Sequence, residues 1–227
     1  MEEKYKKERE VIGEGTFGKI YKGINKITKE IVAIKTIDKR KSKELPRNYL
    51  PMMIEKEIKY MKQCECENTV KFYNYYEEEK YYIIVMELCD CTLEKYILKR
   101  GKSLSVDEIY EIYSNLNNAF KKMSEYNIVH RDIKLENILI KYTNKEKTKF
   151  IPKLCDFGLS KIIEEISNNT LCGTPLTLAP EIFDEKPYDS KADLWSMGVI
   201  IYFSYFKKYP YDCKEMGKII KKKKIRI

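Results

Sequence analysis

The sequence predicts a bilobal α+β fold: a small β-rich lobe with one main helix, followed by a larger and mostly helical lobe. Three observations carry this. Strand-like segments with turns fill residues 9–37 and recur at 81–88. A single helical pattern lies between them, at 51–63. From residue 105 onward helical patterns dominate, broken by short strands and loops after Ile128. With 227 residues, 43% apolar and 35% charged, the chain suits one domain or two small lobes and is not a disordered polymer.

Each element has a local reason. IVAIKTI, residues 31–37, is β-branched and apolar, with Lys35 interrupting it. In PMMIEKEIKYMKQ, Pro51 suits a first helical position, and Ile54, Ile58 and Met61 share one face. YYIIVMEL, residues 81–88, reads as a buried strand. Ser105 and Glu108 form a capping box ahead of a stripe of Ile109, Ile112, Leu116, Phe120 and Met123. The longest apolar run, Leu194 to Phe206, has 13 residues, short of the ~20 a bilayer span needs, and predicts a buried core helix. The joint between lobes falls near Glu87–Cys91, with the small lobe at about 1–86, a hinge at 87–91 and the larger lobe at 92–227.

Composition excludes several functions. Cys64, Cys66, Cys89, Cys91, Cys155, Cys172 and Cys213 are odd in number, and MEEKYKKERE has no apolar leader, so free thiols in a reducing compartment are expected. A cytoplasmic or nuclear location is expected. The paired cysteines are spaced C-x-C with no nearby histidine, which argues against a metal site. The net charge of +9 invites a nucleic-acid reading, but nine Lys/Arg against two acids lie between Lys207 and Ile227. That is a solvated lysine-rich end rather than a basic stripe across a folded face. No specific nucleic-acid partner is expected, though acidic partners or anionic lipid stay open.

IGEGTFGKIYKG, residues 12–23, places Gly13, Gly15 and Gly18 as G-x-G-x-x-G, a spacing that lets backbone N–H groups approach phosphates. A dinucleotide-binding unit needs a buried strand before the glycines, a helix after them and an acid about 20 residues on. Asp38 meets the last condition. The preceding segment is too charged and the following one returns to strand, so a hairpin lid over a nucleotide fits better.

HRDIKLEN, residues 130–137, holds the only histidine, the side chain most used as a general base near neutral pH. Its neighbours point elsewhere. In order along the chain come the glycine turn, Lys35 in VAIK, a helical Glu57 (with Glu55 as competitor), then Asp132, Lys134 and Asn137 in HRDIKLEN. Asp156 in DFG, the GTP at 173–175 and the APE at 179–181 follow. Together these resemble the eukaryotic protein kinase family over nearly the whole chain, and Lys134 two residues after Asp132 resembles its serine/threonine branch.

The resemblance implies ATP and Mg²⁺ as cofactors and a protein substrate with a Ser/Thr acceptor. It implies that Lys35 contacts the α- and β-phosphates and is paired by Glu57, that Asn137 and Asp156 hold Mg²⁺, and that Lys134 neutralises the γ-phosphate. Asp132 would orient the acceptor hydroxyl and take its proton. Thr174 would bridge Asp132 and Lys134. The nucleotide would lie under Ile12, Gly13, Glu14, Gly15, Thr16, Phe17, Gly18, Lys19 and Ile20. Ile20, Ala33 and Leu139 would surround the adenine, with Met86 at the back and Glu87 to Cys89 making the hinge hydrogen bonds. His130 would pack in a column with Met61, Phe72 and Phe157 on Asp193. Cys155 would face the pocket as an inert thiol. Arg131 would pair with a phosphate on Thr170, added by an activating kinase or by the protein itself.

Three departures accompany the resemblance. Thr177 stands where the family usually carries an aromatic that shapes the peptide platform. CDCTL, residues 89–93, lacks the common hinge-exit glycines, which puts Thr92 as a ribose contact in doubt. Only 46 residues follow Glu181, so the family's last helices, and the arginine that pairs with this glutamate, are expected to be missing, with apolar surface exposed. The expected function is an ATP-dependent protein serine/threonine kinase. The alternative is a catalytically impaired, ATP-binding pseudokinase scaffold.

Overall fold

The computed structural model describes residues 1, 3–14, 18–40, 46, 48–157, 175–180 and 190–212. A five-stranded antiparallel sheet, ordered β1-β2-β3-β5-β4, leads the chain. Its strands are β1 (Tyr5–Glu14), β2 (Gly18–Asn25), β3 (Ile31–Asp38), β4 (Phe72–Glu77) and β5 (Tyr81–Glu87). The charged β1 forms an edge, where lysines and glutamates stay in water. β3 lies at the centre and buries Val32, Ala33, Ile34 and Ile37. Register places Lys35 opposite Ile20 on β2 and opposite Ile84 on β5, so a charged residue occupies the middle of the sheet.

Helix α1 (Tyr49–Gln63) packs on this sheet. It starts two residues earlier than the proline predicts. Asn48 adopts the left-handed conformation, φ 64°, which asparagine tolerates, and its carbonyl accepts from Met52 N–H. Pro51 still falls in the first turn, where its missing donor costs nothing. Leu50, Met53, Ile54, Glu57 and Met61 form the buried face, a carboxylate among aliphatics.

Helix α2 (Leu93–Arg100) is absent from the sequence reading. Thr92 caps it, its hydroxyl accepting from Lys95 N–H at 3.1 Å, and Gly101 at φ 70° ends it. The hydroxyl accepts there and keeps its own hydrogen to donate elsewhere. Helix α3 (Val106–Glu125) opens with the expected capping box: Ser105 Oγ accepts from Glu108 N–H at 3.2 Å and Glu108 Oε2 from Ser105 N–H at 2.8 Å. Ile112, Leu116, Ala119 and Met123 are buried, with Ile109 and Phe120 half-buried beside them. A second sheet, β6 (Cys91–Thr92), β7 (Ile138–Tyr142) and β8 (Phe150–Leu154), frames the loop at 128–137.

Helix α4 (Lys191–Phe206) corrects the expectation of a buried core helix. Its buried face is Ala192, Asp193, Ser196, Val199, Ile200 and Ser204, whereas Leu194 is 63% and Phe206 51% exposed. The buried face is partly polar because Asp193 and Ser196 bind backbone groups of other segments. Only one side of the apolar run packs, through Val199 and Ile200, and the other side is exposed. One continuous core joins Met61 of α1 to α2, α3, β7, β8, Phe157 and Ile200, so the helix of the first lobe is tied into the second. No helix among the described residues is long and apolar enough to cross a membrane.

Candidate active site

β3 presents Lys35 toward α1 because residues alternate across a strand, and its neighbours Ile34 and Ile37 take the apolar positions. The Lys35 ammonium lies 2.7 Å from Glu57 Oε1 and 3.1 Å from Asp156 Oδ1. Glu57 is buried, while Glu55, the competitor, is exposed. Burial alone would lower the Lys35 pKa, but Asp156 and Glu57 outweigh it and raise it. The Asp156 carboxyl is likewise opposed by burial and drawn below the usual range by Lys35. Burial raises Glu57, with Lys35 pulling the other way. The second Glu57 oxygen is buried without a hydrogen-bond partner among the described residues. Lys35 thus joins strand, helix and the segment after β8 at one charge.

The loop 128–137 is held from below. The Asp193 carboxylate of α4 accepts from His130 N–H and from Arg131 N–H, both at 2.8 Å. Arg131 takes a left-handed φ of 69° there, and Asp156 one of 67°. The single histidine is fully engaged: Nδ1 accepts from Asp132 N–H at 3.3 Å, so Nε2 carries the proton and donates to Cys155 O at 2.9 Å. Its ring lies 5.3 Å from that of Phe157. Met61 and Phe157 are buried in the same core, with Phe72 packed against it. His130 is thereby a packing and positioning residue, and no ring nitrogen is left to act as a base.

Asp132 is presented by this loop with its carboxylate 29% exposed. Lys134 Nζ donates to Asp132 Oδ2 at 2.8 Å, and burial, which opposes the lysine charge, is outweighed by Asp132. Asn137 Nδ2 donates to Asp132 O at 2.9 Å and to Oδ2 at 2.8 Å, which leaves the amide oxygen as its acceptor end. Asn137 Oδ1 and the 36%-exposed Asp156 side chain supply oxygen donors only, a set that suits a hard cation completing its shell with water and phosphate. No cluster of three His, Cys, Asp or Glu suited to a metal occurs among the described residues.

Most of the residues expected to contact a nucleotide lie on strands of the two sheets or on the segment between them. Ala33 is buried and pairs with Met86, Thr92 pairs with Leu139, and Ile12, Gly13, Ile20, Met86, Leu139 and Cys89 are half-buried. Glu14 and Lys19 face each other at 3.7 Å across the β1–β2 tip. Around Gly13 the nearest atom a Cβ would meet is Ile20 Cδ1 at 3.5 Å, whereas at Gly18 it would meet Thr36 O at 2.2 Å. Strand packing leaves no room for a Cβ at Gly18, whereas at Gly13 the contact with Ile20 is an ordinary one. Burial and then Asp156 push the Cys155 thiol well above its usual range, and its S–H donates to Asn137 O at 3.3 Å, which fits an inert role. Gly15, Thr16, Phe17, Thr170 and Thr174 lie outside the described residues.

Sequence reading missed Lys153. It is 7% exposed on β8, its ammonium 3.0 Å from the Glu87 carboxylate and 2.7 Å from Glu67 O. Lys141 Nζ donates to Leu88 O at 2.6 Å. Two lysines of the second sheet therefore hold the segment that joins it to the first. The only sequence signal was a lysine inside an apolar strand, the same signal that marked Lys35.

Comparison with known proteins decides the family. A family model described as the protein kinase domain matches residues 5–227. This chain belongs to the protein kinase family. Kinase relatives match it along most of its length. Calcium-dependent protein kinase 5 of Plasmodium berghei is 36% identical over 99% of the chain, serine/threonine-protein kinase 36 of Pongo abelii 38% over 85%, and serine/threonine-protein kinase Nek5 of Mus musculus 32% over 93%. The chain spans 38%, 14% and 32% of these relatives. The sheet, α1 and helical region form the bilobal α+β kinase fold.

Proposed function

We propose that the protein is an ATP-dependent serine/threonine kinase, a single catalytic domain with lobes at about 1–86 and 92–227 and a hinge at 87–91. The observation that carries this is the joined pair of clusters: Lys35 bridging Glu57 and Asp156, and Lys134 and Asn137 converging on the Asp132 carboxylate. Phosphoryl transfer needs positioning and charge neutralisation more than covalent chemistry, and both clusters are built for that. Lys35 would hold the α- and β-phosphates, with Glu57 fixing its ammonium. Asp132 would accept the acceptor hydroxyl's proton. Lys134, already beside Asp132, would neutralise the transferred phosphate's oxygens. Asn137 and Asp156 would hold Mg²⁺, which when bound neutralises phosphate charge. Thr174 would brace Asp132 and Lys134, and a phosphate on Thr170 would engage Arg131.

Names of the relatives, all protein kinases and two of the three serine/threonine kinases by name, support the same acceptor class. The test is incubation with Mg-ATP and mixed histones followed by phosphoamino-acid analysis. Phosphoserine or phosphothreonine is expected. Saturable Mg-ATP binding with no phosphorylated product would favour the scaffold reading instead.

A further inference from the structure

Segment 175–180 is tied to the same helix that carries the catalytic loop. Ser196 Oγ donates to Thr177 O at 2.6 Å, one turn along α4 from Asp193, which holds His130 and Arg131. A second tie comes from beyond the helix. Tyr211 OH donates to Leu176 O at 2.8 Å and accepts from Trp195 Nε1–H at 3.1 Å. The two rings stack, centroids 6.3 Å apart. The phenol oxygen therefore has a fixed donor and a fixed acceptor, a directional relay from α4 through Tyr211 to the backbone at 176. Thr177 itself is buried and contributes no ring.

Leu176, Tyr202, Tyr209, Pro210 and Tyr211 line a surface cavity of about 490 Å³. The geometric tie to the catalytic loop is α4 itself: Asp193 holds the backbone of 130 and 131, and Ser196, one turn on, holds that of 177. The backbone at 176 and 177 is thus fixed by Tyr211 and Ser196 on the helix that also fixes the loop carrying Asp132.

We propose that Tyr211, held by Trp195, is a positioning residue for the protein acceptor: its hydroxyl pins the Leu176 carbonyl and so sets the wall against which the acceptor chain lies. This rests on the kinase reading above. A phenylalanine at 211 keeps the ring and the stacking but loses both hydrogen bonds, so the effect isolates the hydroxyl.

The experiment compares wild type, Tyr211→Phe, Trp195→Phe and the double variant in steady-state phosphorylation of mixed histones, with amide hydrogen exchange at 176–178. Tyr211→Phe is expected to raise KM for histone about fivefold or more, leaving kcat and KM for ATP within about twofold, and to speed exchange at 176–178. Trp195→Phe should give a smaller rise, and the double variant should be no worse than Tyr211→Phe, because the indole N–H has already lost its acceptor. Unchanged KM for histone in Tyr211→Phe overturns the proposal even if exchange accelerates, since that is a merely structural tie. Equal loss toward ATP and histone, or additive single effects, overturns it too. Wild-type protein that binds Mg-ATP yet phosphorylates nothing sinks the kinase reading and this proposal's substrate role with it. The exchange arm, which needs no turnover, then still decides whether the tie at 176 exists.

Discussion

The Lys35 ammonium lies 2.7 Å from the Glu57 carboxylate and joins the central strand of the sheet to helix α1. Lys35 is 12% and Glu57 2% exposed, so neither charge can be left behind cheaply when the other is removed. Lys35→Met should destabilise the protein by about 3–5 kcal/mol in urea unfolding and abolish phosphate transfer. Adding Glu57→Gln to that variant should recover part of the stability and none of the transfer. Recovery of neither, or a neutral Lys35→Met, would show that the pair is not coupled as described.

The same cluster sets a pH dependence. Burial alone would raise the Asp156 carboxyl, but Lys35 reverses this and lowers it. A lowered carboxylate stabilises the fold fully above its ordinary value of about 3.9 and loses that contribution as pH falls through the lowered one. Lys35, raised by Asp156 and Glu57 against burial, contributes fully below about 10.4 and loses its contribution as pH rises through its folded value. Urea midpoints measured from pH 6 down to 3 should fall less steeply in Lys35→Met than in wild type, because the largest interaction that holds Asp156 low is then gone. Parallel slopes would contradict this.

Two glycines of one turn should separate fold from ligand. A Cβ at Gly18 would meet Thr36 O at 2.2 Å, so Gly18→Ala must spread β2 from β3 and cost about 1–3 kcal/mol of stability. At Gly13 the nearest atom is 3.5 Å away, an ordinary contact. Gly13→Ala should leave the melting temperature within about 2 °C while weakening Mg-ATP binding by about tenfold, measured by calorimetry. Intact ATP affinity in Gly13→Ala would remove the turn from the nucleotide site.

Lys153 offers a test far from the phosphates. It pairs with Glu87 at 3.0 Å and both are largely buried, at 9% and 15% side-chain exposure. Lys153→Met strands the Glu87 carboxylate behind the segment joining the lobes. Destabilisation of about 3 kcal/mol is expected, together with weaker nucleotide binding, and Glu87→Gln in the same chain should recover part of the stability. Wild-type stability in Lys153→Met would show the pair to be dispensable.

Much of this site was legible because kinase chemistry is written in short local motifs: Lys35 in VAIK, HRDIKLEN and DFG each fit on one strand or one loop. The capping box of α3 was equally local. What escaped is what local pattern does not encode. Helix α2 is eight residues of mixed charge, and its only strong marks are the Thr92 cap and the Gly101 stop. The Lys153–Glu87 and Tyr211–Leu176 contacts join residues brought together only by the packed fold. The apolar run in α4 misled because only Val199 and Ile200 of it share the buried face with Asp193 and Ser196, which satisfy backbone groups, while Leu194 and Phe206 stay exposed. The lone histidine sits as the resemblance implied, packed near Phe157, with one ring nitrogen turned to Asp132 N–H and the other to Cys155 O.

The central claim is that Asp132, positioned by Lys134 and Asn137, serves phosphate transfer to a protein hydroxyl. The most direct measurement is single-turnover transfer of labelled γ-phosphate from Mg-ATP to mixed histones by wild type and by Asp132→Asn, with Mg-ATP binding measured on both. Transfer by wild type, a fall of at least about a hundredfold in Asp132→Asn, and unchanged ATP binding are the predicted result. Equal transfer by the two proteins, or none by a wild type that binds Mg-ATP, would contradict it.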